Sequence, residues 1–235
     1  MGLLELGEVM MTRSERHLEL TSQNLTNVST PGYKQQVGFD AAIDGAQVDD
    51  RAQVQVSARP DFAQGALRQT GRPLDLGISG SGFFLLRTSD GHSFYTRNGQ
   101  FSRDSQNRLV SAEGYALQAA GGGDLLLESD SAEILNDGTV LENGAPAGRV
   151  GIYAPNDAGH LAAQSGTLFT APDDAMHEVA SPLLRQGFLE TANVNNATEM
   201  LQLMTSMRQA EAGARVVEAY DTLIGQSIST FGRSS

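Results

Sequence analysis

The stretch TSQNLTNVSTPGYKQQ, residues 21–36, closes one pattern and opens another within a few positions. Upstream of it Leu4, Met11, Leu18 and Leu25 recur every seven residues, and Gly7, Ser14, Thr21 and Val28 sit three positions after each. A narrow seam of large residues beside a row of mostly small ones is the pattern of a helix that packs on another helix. Ser29-Thr30-Pro31-Gly32 stops it, because proline lacks the backbone donor and biases the residue before it away from helical angles. Residues 1–32 therefore read as an N-terminal helical segment.

The other end of the chain repeats the design. Leu203, Ala210, Val217, Ile224 and Phe231 fall seven apart, with Met200, Met207, Ala214, Asp221 and Ile228 as the companion row. No proline interrupts Asn196 to Phe231, and helix formers dominate. At about 1.5 Å per residue such a helix is on the order of 50 Å long. Apolar residues also lie off both seams, among them Leu6, Val9, Met10, Met204, Val216, Tyr220 and Leu223. Two helices covering only each other would leave these in water, so additional helices from other chains are expected to cover them.

Between the ends the hydrophobic period drops to two and turn dipeptides arrive every eight to twelve residues. Asp90-Gly91, Asn98-Gly99, Asp137-Gly138 and Asn143-Gly144 are expected to supply the positive φ angles of tight hairpins. Residues 72–190 accordingly read as a central antiparallel domain of roughly ten short strands. Residues 33–71 read as an extended arm joining it to the first helix, and residues 191–235 as the C-terminal helical segment. The expected fold class is α+β, with the long terminal helices paired as a coiled-coil-like bundle and a central antiparallel β-rich domain.

Composition narrows the function. The net charge of −12 and a single lysine, Lys34, argue against nucleic-acid binding, which needs clustered cations. Without cysteine there is no disulfide framework, thiolate metal site or cysteine nucleophile. No apolar run is long enough to span a membrane as a helix, and the start lacks the basic and apolar regions of a cleaved secretion signal. His17, His92, His160 and His177 have no metal-ligand spacing. GISGSGFF, residues 77–84, resembles a dinucleotide loop but fails it, since the third glycine is replaced by Leu85 and a strand-like run follows. No catalytic, metal or cofactor residues are assigned, and no cofactor is expected.

QNLTNVSTPGYKQQ resembles the N-terminal signature of the bacterial flagellar rod, hook and hook-associated axial proteins, through Asn24, Leu25, Asn27, Thr30, Gly32 and Lys34. LETANVNNATEMLQLM is similar to their C-terminal signature through Leu189, Glu190, Asn193, Val194, Asn195, Glu199 and Met200. GRPLDLGISGSGFFLL and FYTRNGQFSRDSQNRLVSAEGYALQ resemble the central domain of the rod and hook members. Within the flagellar basal-body rod proteins, the modest length and the RPLD segment are most like the proximal type. The distal type is the alternative, and a secreted β-rich binding module a remote one.

The resemblance implies a non-enzymatic structural subunit of the rod that crosses the periplasm, exported uncleaved through the flagellar type III apparatus. It further implies partners among copies of itself and other rod proteins, with no nucleic acid and no membrane span. The expected assembly interface is Leu4, Met11, Leu18 and Leu25 on one helix with Leu203, Met207, Val217, Ile224 and Ile228 on the other. Asn24, Asn27, Gly32, Lys34, Asn193 and Asn195 carry the family signature, and the four asparagines are expected to cap or brace helix ends.

Overall fold

The computed structural model describes residues 3–40, 56–130, 132–172 and 174–232. These residues form an α+β fold of two long helices and eighteen short strands, divided into a helical unit and a β unit.

The helical unit contains α1 (Leu3–Thr26), α2 (Asn196–Gly232) and a two-stranded antiparallel hairpin. The hairpin pairs Gln36–Asp40 with Val56–Pro60, in a register that sets Gln36 opposite Pro60. α1 and α2 pack along each other, and α1 also packs on the hairpin.

The helix contact runs along rows of mostly small residues. Gly7, Ser14 and Thr21 are buried on α1, and Glu199, Ser206 and Gly213 are buried on α2, again at seven-residue spacing. A Cβ on Gly7 would lie 2.8 Å from Val217 Cγ2 and 3.3 Å from the Gly213 oxygen, while one on Gly213 would lie 2.9 Å from Met11 Cγ. Glycine in a helix interior costs about 1 kcal/mol relative to alanine, and here it allows the two backbones to approach. Ser14 lowers its polar cost by donating its hydroxyl to the Met10 oxygen at 2.7 Å.

α1 ends at Thr26, several residues ahead of Pro31. Two successive turns take over there, closed by Thr30 N to Asn27 O at 3.0 Å and Tyr33 N to Thr30 O at 3.3 Å. The backbone must reach φ +70° at Gly32, which only glycine adopts without strain.

The β unit takes in residues 27–35 and 61–193. Its main sheet has nine strands, with Phe83–Arg87 at the centre. That strand pairs with Ser93–Thr96 on one side, and with Ala116–Leu117 and Ile152–Pro155 on the other. All four residues of its apolar run are buried, because the sheet is covered on both faces. Phe84 and Leu86 join the larger core with Leu76, Phe101, Leu109, Leu117 and Val140. Phe83 and Leu85 alternate to a second core with Tyr95, Leu161 and Phe169.

The turn dipeptides divide by mechanism. Gly91 and Gly138 have φ of +85° and +86°, and Asn143-Gly144 has positive φ at both residues, the requirement of a tight two-residue hairpin. Asn98-Gly99 departs from the expectation, since neither residue has positive φ among those that do. Glycine is needed at position 99 because a Cβ there would fall 1.7 Å from the Leu76 oxygen.

The stretch read as one arm, residues 33–71, is divided in the structure. Residues 33–35 and 61–71 belong to the β unit, and the hairpin strands belong to the helical unit. Residues 41–55 lie outside the described residues.

Candidate functional site

In the helical unit one side chain ties three elements together. Asn24, in the last turn of α1, accepts a hydrogen bond at Oδ1 from Gln36 N (2.8 Å) and donates from Nδ2 to the Gln36 oxygen (2.9 Å). The same Nδ2 donates to Glu199 Oε2 on α2 at 3.2 Å. All three residues are buried. Only a primary amide offers an acceptor and two donors on a side chain this short, so neither Asp nor Leu could close the same ring. Asn195 caps α2, its Oδ1 accepting from Ala197 N (3.1 Å) and Thr198 N (3.2 Å). Glu199 in the first turn places its carboxylate at the positive end of the helix dipole.

In the β unit a second buried cluster joins the two signatures. Lys34 Nζ donates to Glu190 Oε1 at 2.6 Å and to the Ala63 oxygen at 2.7 Å. Arg97 donates to Glu190 Oε2 at 3.1 Å and to the Gly80 oxygen at 2.7 Å. Gly65 N adds a third donor to the carboxylate at 2.9 Å. Lys34, Arg97 and Glu190 are between 1% and 4% exposed, so two cations share one buried anion. Burial pushes the Lys34 ammonium below the ordinary lysine range, against the opposing pull of Glu190. Arg97 is lowered for the same reason and keeps its charge.

Backbone contacts complete the joint. Gly32 N donates to the Glu190 oxygen at 2.8 Å, and Asp61 N to the Gln35 oxygen at 2.8 Å. Asn193 accepts from Gln35 N at 2.7 Å and donates to the oxygens of Asp61 (2.9 Å) and Ala63 (3.1 Å). Asn27 accepts from the Thr30 hydroxyl at 3.2 Å. A Cβ at Gly32 would come within 2.3 Å of the Arg97 carbonyl carbon, so the TPGYK loop is pressed directly against the Arg97 backbone. Gly80, within the failed dinucleotide loop, uses its carbonyl for Arg97.

The expected interface residues fall in several environments. Met11, Leu18, Leu25, Leu203 and Val217 are half-buried, while Met207 and Ile224 are 50% and 42% exposed. The side chains of Leu4 and Ile228 lie outside the described residues, although both positions are helical. Met200, Leu201, Met204 and Leu223 extend the exposed apolar surface of α2. Between the helices runs a groove of about 520 Å³, lined by Met11, Ala214, Val217, Glu218, Asp221 and Thr222.

Arg97 and Gln36 lie inside stretches that resemble the family but were not singled out as site residues. Only the folded chain shows them as the partners of buried Glu190 and Asn24. Among the described residues no group of three His, Asp or Glu side chains is placed to hold a metal.

Residues 77–162 match the family described as flagellar hook protein FlgE/F/G D1 domain, and residues 185–230 match flagellar basal body rod FlgEFG protein C-terminal. Among curated relatives, the flagellar basal-body rod protein FlgF of Caulobacter vibrioides is 26% identical over 228 positions, covering 93% of each chain. FlgF of Escherichia coli K12 is 29% identical over 228 positions, covering 88% of this chain and 89% of its own. The flagellar basal-body rod protein FlgG of Agrobacterium fabrum is 25% identical over 265 positions, covering 95% of this chain and 97% of its own.

Proposed function

The chain belongs to the flagellar basal-body rod protein family, and we propose that it is a proximal, FlgF-type structural subunit of the rod. Alignment with the FlgF relatives needs 228 positions to cover about as much of this chain as the Agrobacterium FlgG covers in 265. The extra positions are insertions relative to this chain, which favours the FlgF type over the distal, FlgG type.

The subunit works by packing and catalyses nothing. Its terminal helices pair as a coiled-coil-like bundle with copies of itself and with other rod proteins, in the part of the rod that crosses the periplasm. It reaches that place uncleaved, through the flagellar type III export apparatus. Leu4, Met11, Leu18, Leu25, Leu203, Met207, Val217, Ile224 and Ile228 contribute the apolar contacts. The clusters around Asn24 and Lys34 hold the two signatures in place.

The observation that carries this reading is the bare apolar surface of α2. Met200, Leu201, Met204, Met207, Leu223 and Ile224 are each more than two-fifths exposed on one helix. A soluble chain seldom leaves such a surface in water, and each fully covered Leu, Met or Ile contributes about 1.5–3 kcal/mol before ordering costs. The Met207→Asp/Ile224→Asp double variant, expressed in cells lacking their own copy, tests it. Both sites are exposed, so the β unit should keep its melting transition while rods and motility are lost. Normal swimming by that variant would overturn the packing role.

A further inference from the structure

Three of the seven methionines, Met200, Met204 and Met207, occupy positions i, i+4 and i+7 of α2 and so share one helical face. Their exposures are 46%, 56% and 50%. Met10, Met11 and Met176, by contrast, are half-buried. Leucine would cover apolar surface equally well and favours the helix equally. The thioether differs from leucine in being polarisable and oxidisable, and its oxidation follows access.

We propose that the Met200/Met204/Met207 stripe is a reversible oxidation site that controls docking of α2, its oxidant being a peroxide. The inference rests on the assembly role proposed for that helix. In the step, a thioether sulfur attacks one peroxide oxygen and the O–O bond breaks. The sulfur gives up two electrons, the proton of the attacked oxygen passes to the leaving one, and the products are a sulfoxide and water, or an alcohol where the peroxide is organic. The product is polar and chiral at the centre of an apolar stripe. A helix that must bury that stripe then has to bury an S=O dipole without an acceptor-satisfying donor. Because the close α1–α2 contact runs through Gly7, Met11, Gly213 and Val217, and each of the three thioether residues is about half exposed in the single chain, oxidation is expected to leave that contact in place. A sulfoxide reductase returns the stripe to its docking state.

The test uses the full-length chain and hydrogen peroxide. Graded oxidation followed by peptide mass spectrometry should modify Met200, Met204 and Met207 ahead of Met10, Met11 and Met176. Circular dichroism at 222 nm should stay unchanged at that dose. Untreated and oxidised protein are then added to basal bodies prepared from cells lacking this chain. Oxidation should lower the bound fraction about tenfold or more, the effect of one or two poorly satisfied buried dipoles. The Met200→Leu/Met204→Leu/Met207→Leu variant should show the same bound fraction before and after peroxide, whatever its own level without treatment.

The inference is overturned if the stripe shows no oxidation preference, or if oxidised wild type binds undiminished. It is equally overturned if the triple leucine variant loses binding to peroxide as wild type does. Untreated wild type that fails to bind, with its helices folded, would instead remove the rod reading and this inference with it.

Discussion

Replacing Glu190 by glutamine should be the most damaging isosteric change available in the β unit. In the native chain one carboxylate faces two cations, Lys34 at 2.6 Å and Arg97 at 3.1 Å, all almost inaccessible to water. Glu190→Gln keeps the volume but leaves both cations buried without an anion, a change worth about 3–5 kcal/mol. Against a total stability of about 5–15 kcal/mol, that loss brings the domain close to unfolding. Lys34→Met should cost far less, about 1–2 kcal/mol, because it leaves a balanced Arg97–Glu190 pair and Gly65 N still donating to the carboxylate.

The charge asymmetry also sets a pH dependence. The folded-state pKa of Lys34 is held below its ordinary 10.5 by burial. Between that lowered value and 10.5 the unfolded chain binds more protons, so this group makes stability rise with pH through that window. Glu190→Gln removes the charge that opposes the lowering and leaves only a neutral amide acceptor for the ammonium, so the window begins at lower pH. The deficit of the variant should therefore shrink as pH is raised from 7 towards 10. Urea unfolding followed by near-ultraviolet circular dichroism is the assay, since four of the five tyrosines, Tyr33, Tyr95, Tyr115 and Tyr153, lie in the β unit. A deficit under about 1 kcal/mol, a deficit flat with pH, or a Lys34→Met loss equal to that of Glu190→Gln would refute the buried-charge account.

Other perturbations separate the two units. Asn195→Ala removes the cap of α2 and should cost about 1 kcal/mol, read as earlier loss of the 222 nm signal on heating. Gly213→Leu drives a side chain into Met11 and the Gly7 backbone, so hydrogen exchange in α1 should accelerate while the β unit stays protected; unchanged α1 protection would refute the close crossing. Gly99→Ala sets a Cβ 1.7 Å from the Leu76 oxygen and should destabilise the β unit by about 3 kcal/mol, measured in the same urea assay.

Much of the fold was legible because its signals are local. The helical period at both ends, the period of two between them and the Asp90-Gly91, Asp137-Gly138 and Asn143-Gly144 turns each depend on residues a few positions apart. The two terminal signatures were legible as motifs, and both converge on buried clusters. What joins them was not legible: Lys34 meets Glu190 across 156 positions, and Asn24 meets Glu199 across 175. The most buried row of α2 was not legible either: Ser206 and Gly213 are covered because small side chains let the two backbones come close, and Glu199 because it meets Asn24.

The amino-acid order alone determined that this chain has helical ends, a strand-rich middle and the two signatures of an axial subunit, because secondary structure follows from short-range sterics and spacing. Only the tertiary structure decided that the TPGYK loop is part of the β unit, that Gly99 answers to a neighbouring carbonyl rather than to its own φ, and that Met200, Met204 and Met207 on α2 are left about half exposed. Those outcomes depend on which distant surfaces exclude water from one another, and no local pattern encodes that choice.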